Sequence, residues 1–299
     1  MKLVVANWKL SPSTEREAVE LASKIDKGSP STRSARSGTM GVRVVIMPPL
    51  SFLAPVGEIL KNAELGSQDV FYESPPSANW RSGGAYTGEV SPEQLKSLGV
   101  KYVLVGHSER RALGETDEIV NKKVLAALKE GLTVVLCVGE RERTMTDDND
   151  DDKSINLRKA KEFVRGQLET ALKGVLPRSA SWRRRGQDDN ERNNVAPRFA
   201  RGDNNSLRII IAYEPVWAIS GRSHGVSDTP EDAGEMIGFI KEALRQAQGI
   251  RPLVLYGGSV NAGDARGFLE REEIDGVLVG SASLDAEEFR RIVEIARNF

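Results

Sequence analysis

The sequence predicts an α/β fold, a single-domain (β/α)8 barrel carrying two polar loop insertions. Three observations predict it. Short apolar, β-rich runs alternate with amphipathic segments along the whole chain, and eight strand-then-helix units can be counted. No pair of halves and no switch point shows in that alternation, which favours a closed parallel barrel over a doubly wound sheet. The length of 299 residues suits one barrel of about 250 residues with roughly 50 left for insertions.

Composition narrows the classes further. With 39% hydrophobic and 28% charged residues, the chain can bury a large core. Its net charge of -1 sets up no global field for nucleic acid or acidic lipid, so neither is expected as a partner. Cys137 is the single cysteine and cannot close an internal disulfide, which fits a reducing compartment. The start, MKLVVANWKL, has too short an apolar run for a signal peptide and reads as the first strand. A cytoplasmic protein is expected, and no run approaches the roughly 18 apolar residues of a membrane helix.

The elements follow in order. Leu3 to Ala6 is a strand, and Thr14 to Lys27 places Ala18, Leu21, Ala22 and Ile25 on one helical face. Residues 28–41, rich in Ser, Thr, Arg and Gly, are too poor in apolar groups to offset their ordering entropy and read as a mobile insertion. Val42 to Met47 is the second strand, after which Pro48-Pro49 opens a helix to about Lys61. Leu65 ends a short third strand, and a long loop runs from Gln68 to Val90 with Pro75, Pro76 and Trp80 in it. A loop of that length is usually functional or an interface. Pro92 begins the next helix, and Tyr102 to Val105 is the fourth strand, ending in Gly106-His107-Ser108-Glu109.

The second half repeats the pattern. Helix Asp117 to Glu130 leads to strand Thr133 to Val138; the acidic run Asp147 to Asp152 then interrupts, before Ala160, Phe163, Val164, Leu168, Leu172 and Val175 mark a helix. Residues 177–206 lose all periodicity and read as the second insertion. Ile209 to Tyr213 is a strand buried on both faces, with Glu214 and Pro215 at its end. Val216 to Gly221 follows, apolar, pinned by proline at one end and loosened by glycine at the other, the composition of a hinged lid. Thr229 starts a helix, Leu253 to Tyr256 is the seventh strand, Ala262 to Glu270 a helix, Gly276 to Val279 the eighth strand and Asp285 to Arg297 the last helix.

In such a barrel catalytic groups come from the C-terminal ends of the strands. Those ends carry Asn7 and Lys9, His107, Glu214, the turn Gly257-Gly258-Ser259, and Gly280-Ser281. A carboxylate base, an electrophilic imidazole, a fixed cation and backbone N–H turns that can cradle a phosphate are what proton transfer beside a carbonyl requires.

Five blocks carry a resemblance: Asn7-Trp8-Lys9, Ala85 to Glu89, Gly106 to Arg111, Ala212 to Ile219, and Tyr256 to Val260. In that order, over nearly the whole chain, they resemble the triosephosphate isomerase family, whose fold is the TIM barrel. The resemblance implies that Glu214 is the base, neutral His107 the electrophile, and Asn7 and Lys9 the stabilisers of an enediolate. It implies that the Trp217 loop closes over a small triose phosphate. The roles of base, imidazole and lid are thus what the resemblance implies. Ser220, Gly221, Ser259, Gly280 and Ser281 would hold the phosphate, with Ser108, Glu109, Trp217 and Tyr256 in support. No metal or cofactor is implied. A homodimer through the third loop is, with Thr87 buttressing Asn7 at the contact.

The chain departs from the family pattern at three places. The lid reads Ala218 to Gly225 with extra residues before Thr229, so the phosphate-binding N–H belongs to Ser220 or to Gly221. Ser281 stands where the family usually has glycine, a strained choice if that position needs positive φ. The third loop is also longer, by residues that include Pro75, Pro76 and Trp80. The alternative function is a non-catalytic barrel whose Arg-rich insert around Trp182-Arg183-Arg184-Arg185 binds RNA or a protein partner.

Overall fold

A computed structural model describes residues 1–30, 41–73, 84–142, 150–175, 208–219, 228–248 and 251–299. Eight parallel strands, β1 (Lys2–Asn7), β2 (Val42–Met47), β3 (Glu64–Ser67), β4 (Tyr102–Val105), β5 (Thr133–Val138), β6 (Ile209–Tyr213), β7 (Leu253–Tyr256) and β8 (Gly276–Val279), pair in sequence order. β8 returns to β1, closing the barrel. Nine α-helices are described around it: α1 (Glu15–Gly28), α2 (Leu53–Ile59), α3 (Pro92–Ser97), α4 (Ser108–Ala112), α5 (Asp117–Lys129), α6 (Asp150–Ala171), α7 (Pro230–Gln248), α8 (Ala265–Leu269) and α9 (Ala286–Ala296).

Each strand is apolar on both faces because each face meets a different core. Leu3, Val5, Val45, Met47, Leu104, Cys137, Ala212 and Leu278 point inward and fill the barrel. Val4, Ala6, Val44, Ile46, Val103, Val105, Ile211 and Val279 point outward, onto the helices. Period-2 alternation between two buried surfaces is why these strands read as unbroken apolar runs. At the N-terminal end the barrel is closed by a polar set. The Tyr102 hydroxyl donates to Glu64 Oε2 at 3.0 Å and accepts from Arg43 at 2.9 Å. Burial, then the Glu64 charge, pushes that phenol up to about 12.

Caps set the helix starts. Thr14 and Ser91 form reciprocal capping boxes with Glu17 and Gln94, and Asp285 accepts from two first-turn N–H groups of α9. Several boundaries differ from the expectations: β3 runs on to Ser67, and α8 is confined to Ala265–Leu269. The segment after Pro48-Pro49 is a 3-10 turn, Leu50–Phe52, followed by the short α2. The acidic run does not fully interrupt, since α6 begins at Asp150.

The insertion at 28–41 falls between α1 and β2, with residues 31–40 outside the described residues, and 177–206 lies wholly outside them, between α6 and β6. Both connect a helix to the next strand. Their attachment points are therefore at the end of the barrel opposite the strand C-termini. No helix among the described residues is long and apolar enough to cross a membrane.

Candidate active site

β6 delivers Glu214 to the mouth of the barrel, 2% exposed. Its backbone N–H donates to Val138 O at 2.8 Å, so it continues the pairing with β5 for one more residue. Glycines make room on both sides. A Cβ at Gly139 would lie 1.8 Å from the Glu214 carbonyl oxygen, and one at Gly257 would lie 2.9 Å from its Cγ. The carboxylate is held by one oxygen: the Ser108 N–H donates to Oε2 at 3.0 Å. Among the described residues Oε1 has no hydrogen-bond partner, and it stands 3.2 Å from His107 Nε2.

His107 ends the loop after β4 and caps α4. Its Nδ1 accepts the Glu109 N–H at 3.2 Å, which assigns the ring proton of the neutral imidazole to Nε2, the nitrogen that faces Glu214. The α4 start thus orients both partners, Glu109 N–H fixing the tautomer and Ser108 N–H fixing the carboxylate.

Lys9 is the only non-glycine residue with positive φ (53°) among the described residues. That conformation costs about 1–2 kcal/mol and is held by three contacts. The Lys9 N–H donates to Asn7 Oδ1 at 3.1 Å, its carbonyl accepts from Gln68 at 2.9 Å, and its Nζ donates to Glu109 Oε1 at 2.7 Å. Strain kept at a site mouth is a mark of function.

These groups share a cavity of about 150 Å³, lined among others by Asn7, Lys9, His107, Glu214, Ser259 and Ser281. That is smaller than the few hundred Å³ of a drug-sized site, and suits a small metabolite. Gly280 lies beside the Lys9 chain, a Cβ there falling 3.6 Å from Lys9 Cε. Ser281 opens a 3-10 turn with negative φ, so its replacement of the family glycine carries no left-handed strain. The Ser259 hydroxyl donates to Ala218 O at 2.9 Å, tying the β7 turn to the start of the lid.

The supporting residues divide by location. Trp217 donates through Nε1 to Glu140 Oε1 at 2.9 Å, the oxygen that also accepts from Tyr213 at 2.9 Å. Tyr256 stacks on Phe268, with ring centroids 4.2 Å apart; burial, then the charge of Asp228, pushes its phenol well above its usual value. It does not line the cavity. Thr87 is exposed in a turn, away from that cavity. Ser220 and Gly221 lie outside the described residues, as does the Arg-rich insert. Cys137 is fully buried, its thiol pushed up by burial and then by Glu214, the state of a packing residue and not a nucleophile.

Two residues of this neighbourhood were not expected from the sequence as site residues, Glu140 and Gln167. Both are buried, and both bond around the turn after β5. The available signal for Gln167 was an amide set among Ala160, Val164, Leu168 and Leu172 on the apolar face of a helix.

Fold and site together define an acid–base enzyme on a (β/α)8 barrel. The chain matches the family described as triosephosphate isomerase over residues 2–296. It is 37% identical to "Triosephosphate isomerase" of Thermoanaerobacter sp. (strain X514), covering 97% of this chain and 98% of that protein. The protein of the same name from Aquifex aeolicus (strain VF5) is 35% identical over 98% of each chain, and that of Synechococcus sp. (strain JA-2-3B'a(2-13)) 37% identical over 97% of this chain and 95% of its own. The chain belongs to the triosephosphate isomerase family.

Proposed function

We propose that this chain interconverts dihydroxyacetone phosphate and glyceraldehyde 3-phosphate. The observation that carries the reading is the 3.2 Å approach of a bare Glu214 oxygen to His107 Nε2 at a mouth that also holds Lys9. Glu214 takes a proton from the hydroxymethyl carbon beside the carbonyl, while the Nε2–H of neutral His107 donates to the carbonyl oxygen. Asn7 and Lys9 stabilise the enediolate that results. The proton of the neighbouring hydroxyl passes by way of His107 to the former carbonyl oxygen, and the Glu214 carboxyl returns its proton to the former carbonyl carbon, so the cycle is an isomerisation with no net oxidation. The phosphate lies against Ser259, Gly280 and Ser281, and against Ser220 or Gly221 of the lid. Purified protein is expected to turn over glyceraldehyde 3-phosphate in a coupled assay with little release of methylglyoxal. A folded protein without isomerase activity would overturn the reading and direct attention to the Arg-rich insert.

The chain acts as a cytoplasmic homodimer in this reading. A second cavity of about 770 Å³ adjoins the first and shares Asn7, Lys9 and His107 with it. Among its lining residues, Leu10 is 94% and Leu113 80% exposed. A cavity that opens onto catalytic groups and carries the exposed side chains of Leu10, Leu50 and Leu113 at its edge suits the third loop of a second copy, with Thr87 reaching Asn7 across the contact.

A further inference from the structure

On α6 the buried positions Ala160, Val164, Leu168 and Ala171 follow helical spacing against the barrel, and Gln167 falls in the same stripe, 5% exposed. A buried amide is costly unless bonded. Its Oε1 accepts the N–H of Gly139 at 2.8 Å, the first residue past β5.

The turn it holds touches both working parts of the site. Val138 O accepts the Glu214 N–H at 2.8 Å, and Gly139 packs so closely on the Glu214 main chain that no Cβ fits between them. One residue on, Glu140 accepts the Val216 N–H through its carbonyl at 3.1 Å and the Tyr213 and Trp217 donors through its side chain. A shift of this turn would therefore move Glu214 and the first turn of the lid together. Gln167 is the helix-side bond to that turn, and it does not line the substrate cavity.

We propose that Gln167 is a positioning residue for the isomerisation, fixing the 138–140 turn on which the base and the fixed end of the lid both rest. The inference builds on the proposed isomerase activity. It is tested with Gln167→Met, which keeps length and removes the acceptor, and with Gln167→Glu. The glutamate carboxyl has the same length and keeps an oxygen that can accept the same bond. For Gln167→Met, kcat is expected to fall on the order of 10–100-fold with KM little changed. The share of product released as methylglyoxal should rise as the lid loses its register, and Gln167→Glu should restore both toward the parent values. If Gln167→Met does not yield folded protein, Gln167→Asn, which withdraws the acceptor by one methylene, carries the same test. A variant with parent kcat and parent methylglyoxal share, altered only in thermal midpoint, would make Gln167 merely structural. A Gln167→Glu variant as impaired as Gln167→Met would overturn the proposal as well. A parent protein that does not isomerise fails the functional reading itself, whereas an active parent with an unimpaired Gln167→Met variant fails this inference alone.

Discussion

One oxygen of Glu214 is bonded and the other is left bare, although the residue is buried. An unsatisfied buried acceptor costs about 1–3 kcal/mol, more when charged, and a purely structural carboxylate would be expected to use both oxygens. A base needs the opposite: one oxygen fixed for aim, one free for the proton. Glu214→Ala is accordingly expected to lower turnover by at least about 100 to 10,000-fold while the protein stays folded, since no Lys or Arg among the described residues pairs with that side chain. Coupled-assay turnover beside a thermal melt checks this, and near-parent turnover would remove Glu214 from the mechanism. At this scale the sequence was informative where chemistry follows directly on a strand. Asn7, Lys9, His107 and Glu214 each stand just past an apolar run, so the barrel rule alone brings them to one mouth. The left-handed Lys9 and the bonds of Gln167 and Glu140 were not legible, because each depends on a neighbour from a distant element.

Between elements, a partly buried charge set joins the loop after β3 to α4 and α5. Lys123 of α5, its side chain 3% exposed, contacts Asp69 at 2.6 Å and also Glu115, while Arg110 contacts Glu115 at 2.7 Å and Asp69 at 3.0 Å. Burial pushes the Glu115 carboxyl up, but bonds from Lys123 and Arg110 outweigh it and hold the pKa below the usual 4.5. That stabilisation is therefore present above the unfolded value and is lost as pH falls through the folded one. Asp69 has the reverse sign. Burial raises it above its usual 3.8 despite Lys123, so its ionisation opposes folding as pH rises. Lys123→Met removes the main counter-charge of both. A loss of about 3–5 kcal/mol is expected at neutral pH, shrinking toward about pH 4 as the two carboxyls protonate. Denaturant unfolding at the two pH values checks it, and an equal loss at both would mean that packing, not charge, is what Lys123 supplies. None of this set was legible beforehand, since its four residues come from segments whose contact depends on barrel closure. The strands were, because two separate cores force apolar residues onto both faces of each.

For the whole molecule, what matters is which end of the barrel a feature occupies. The insertion at 177–206 attaches at the end opposite the site, and closure of a long loop costs only slowly more with length. Rejoining its ends with a short linker is expected to leave turnover nearly unchanged, and a large loss in a folded deletion variant would give the insert a role in catalysis. The proposed dimer contact is at the other end, beside Lys9 and His107. Leu113, just past α4, is 80% exposed, so in a lone copy a polar residue there should leave the core undisturbed. Burial of Leu113 would come only from association, and Leu113→Asp would then place a charge inside the contact without a partner, at a cost of several kcal/mol. The expected result is a shift from dimer to monomer in sedimentation, with helix content kept. Turnover should fall with it, because the third loop of the other copy no longer closes the cavity around Asn7 and Lys9. If Leu113→Asp sediments and turns over as the parent does, that face is not the contact, and the exposed leucines beside the site must be explained without a second copy.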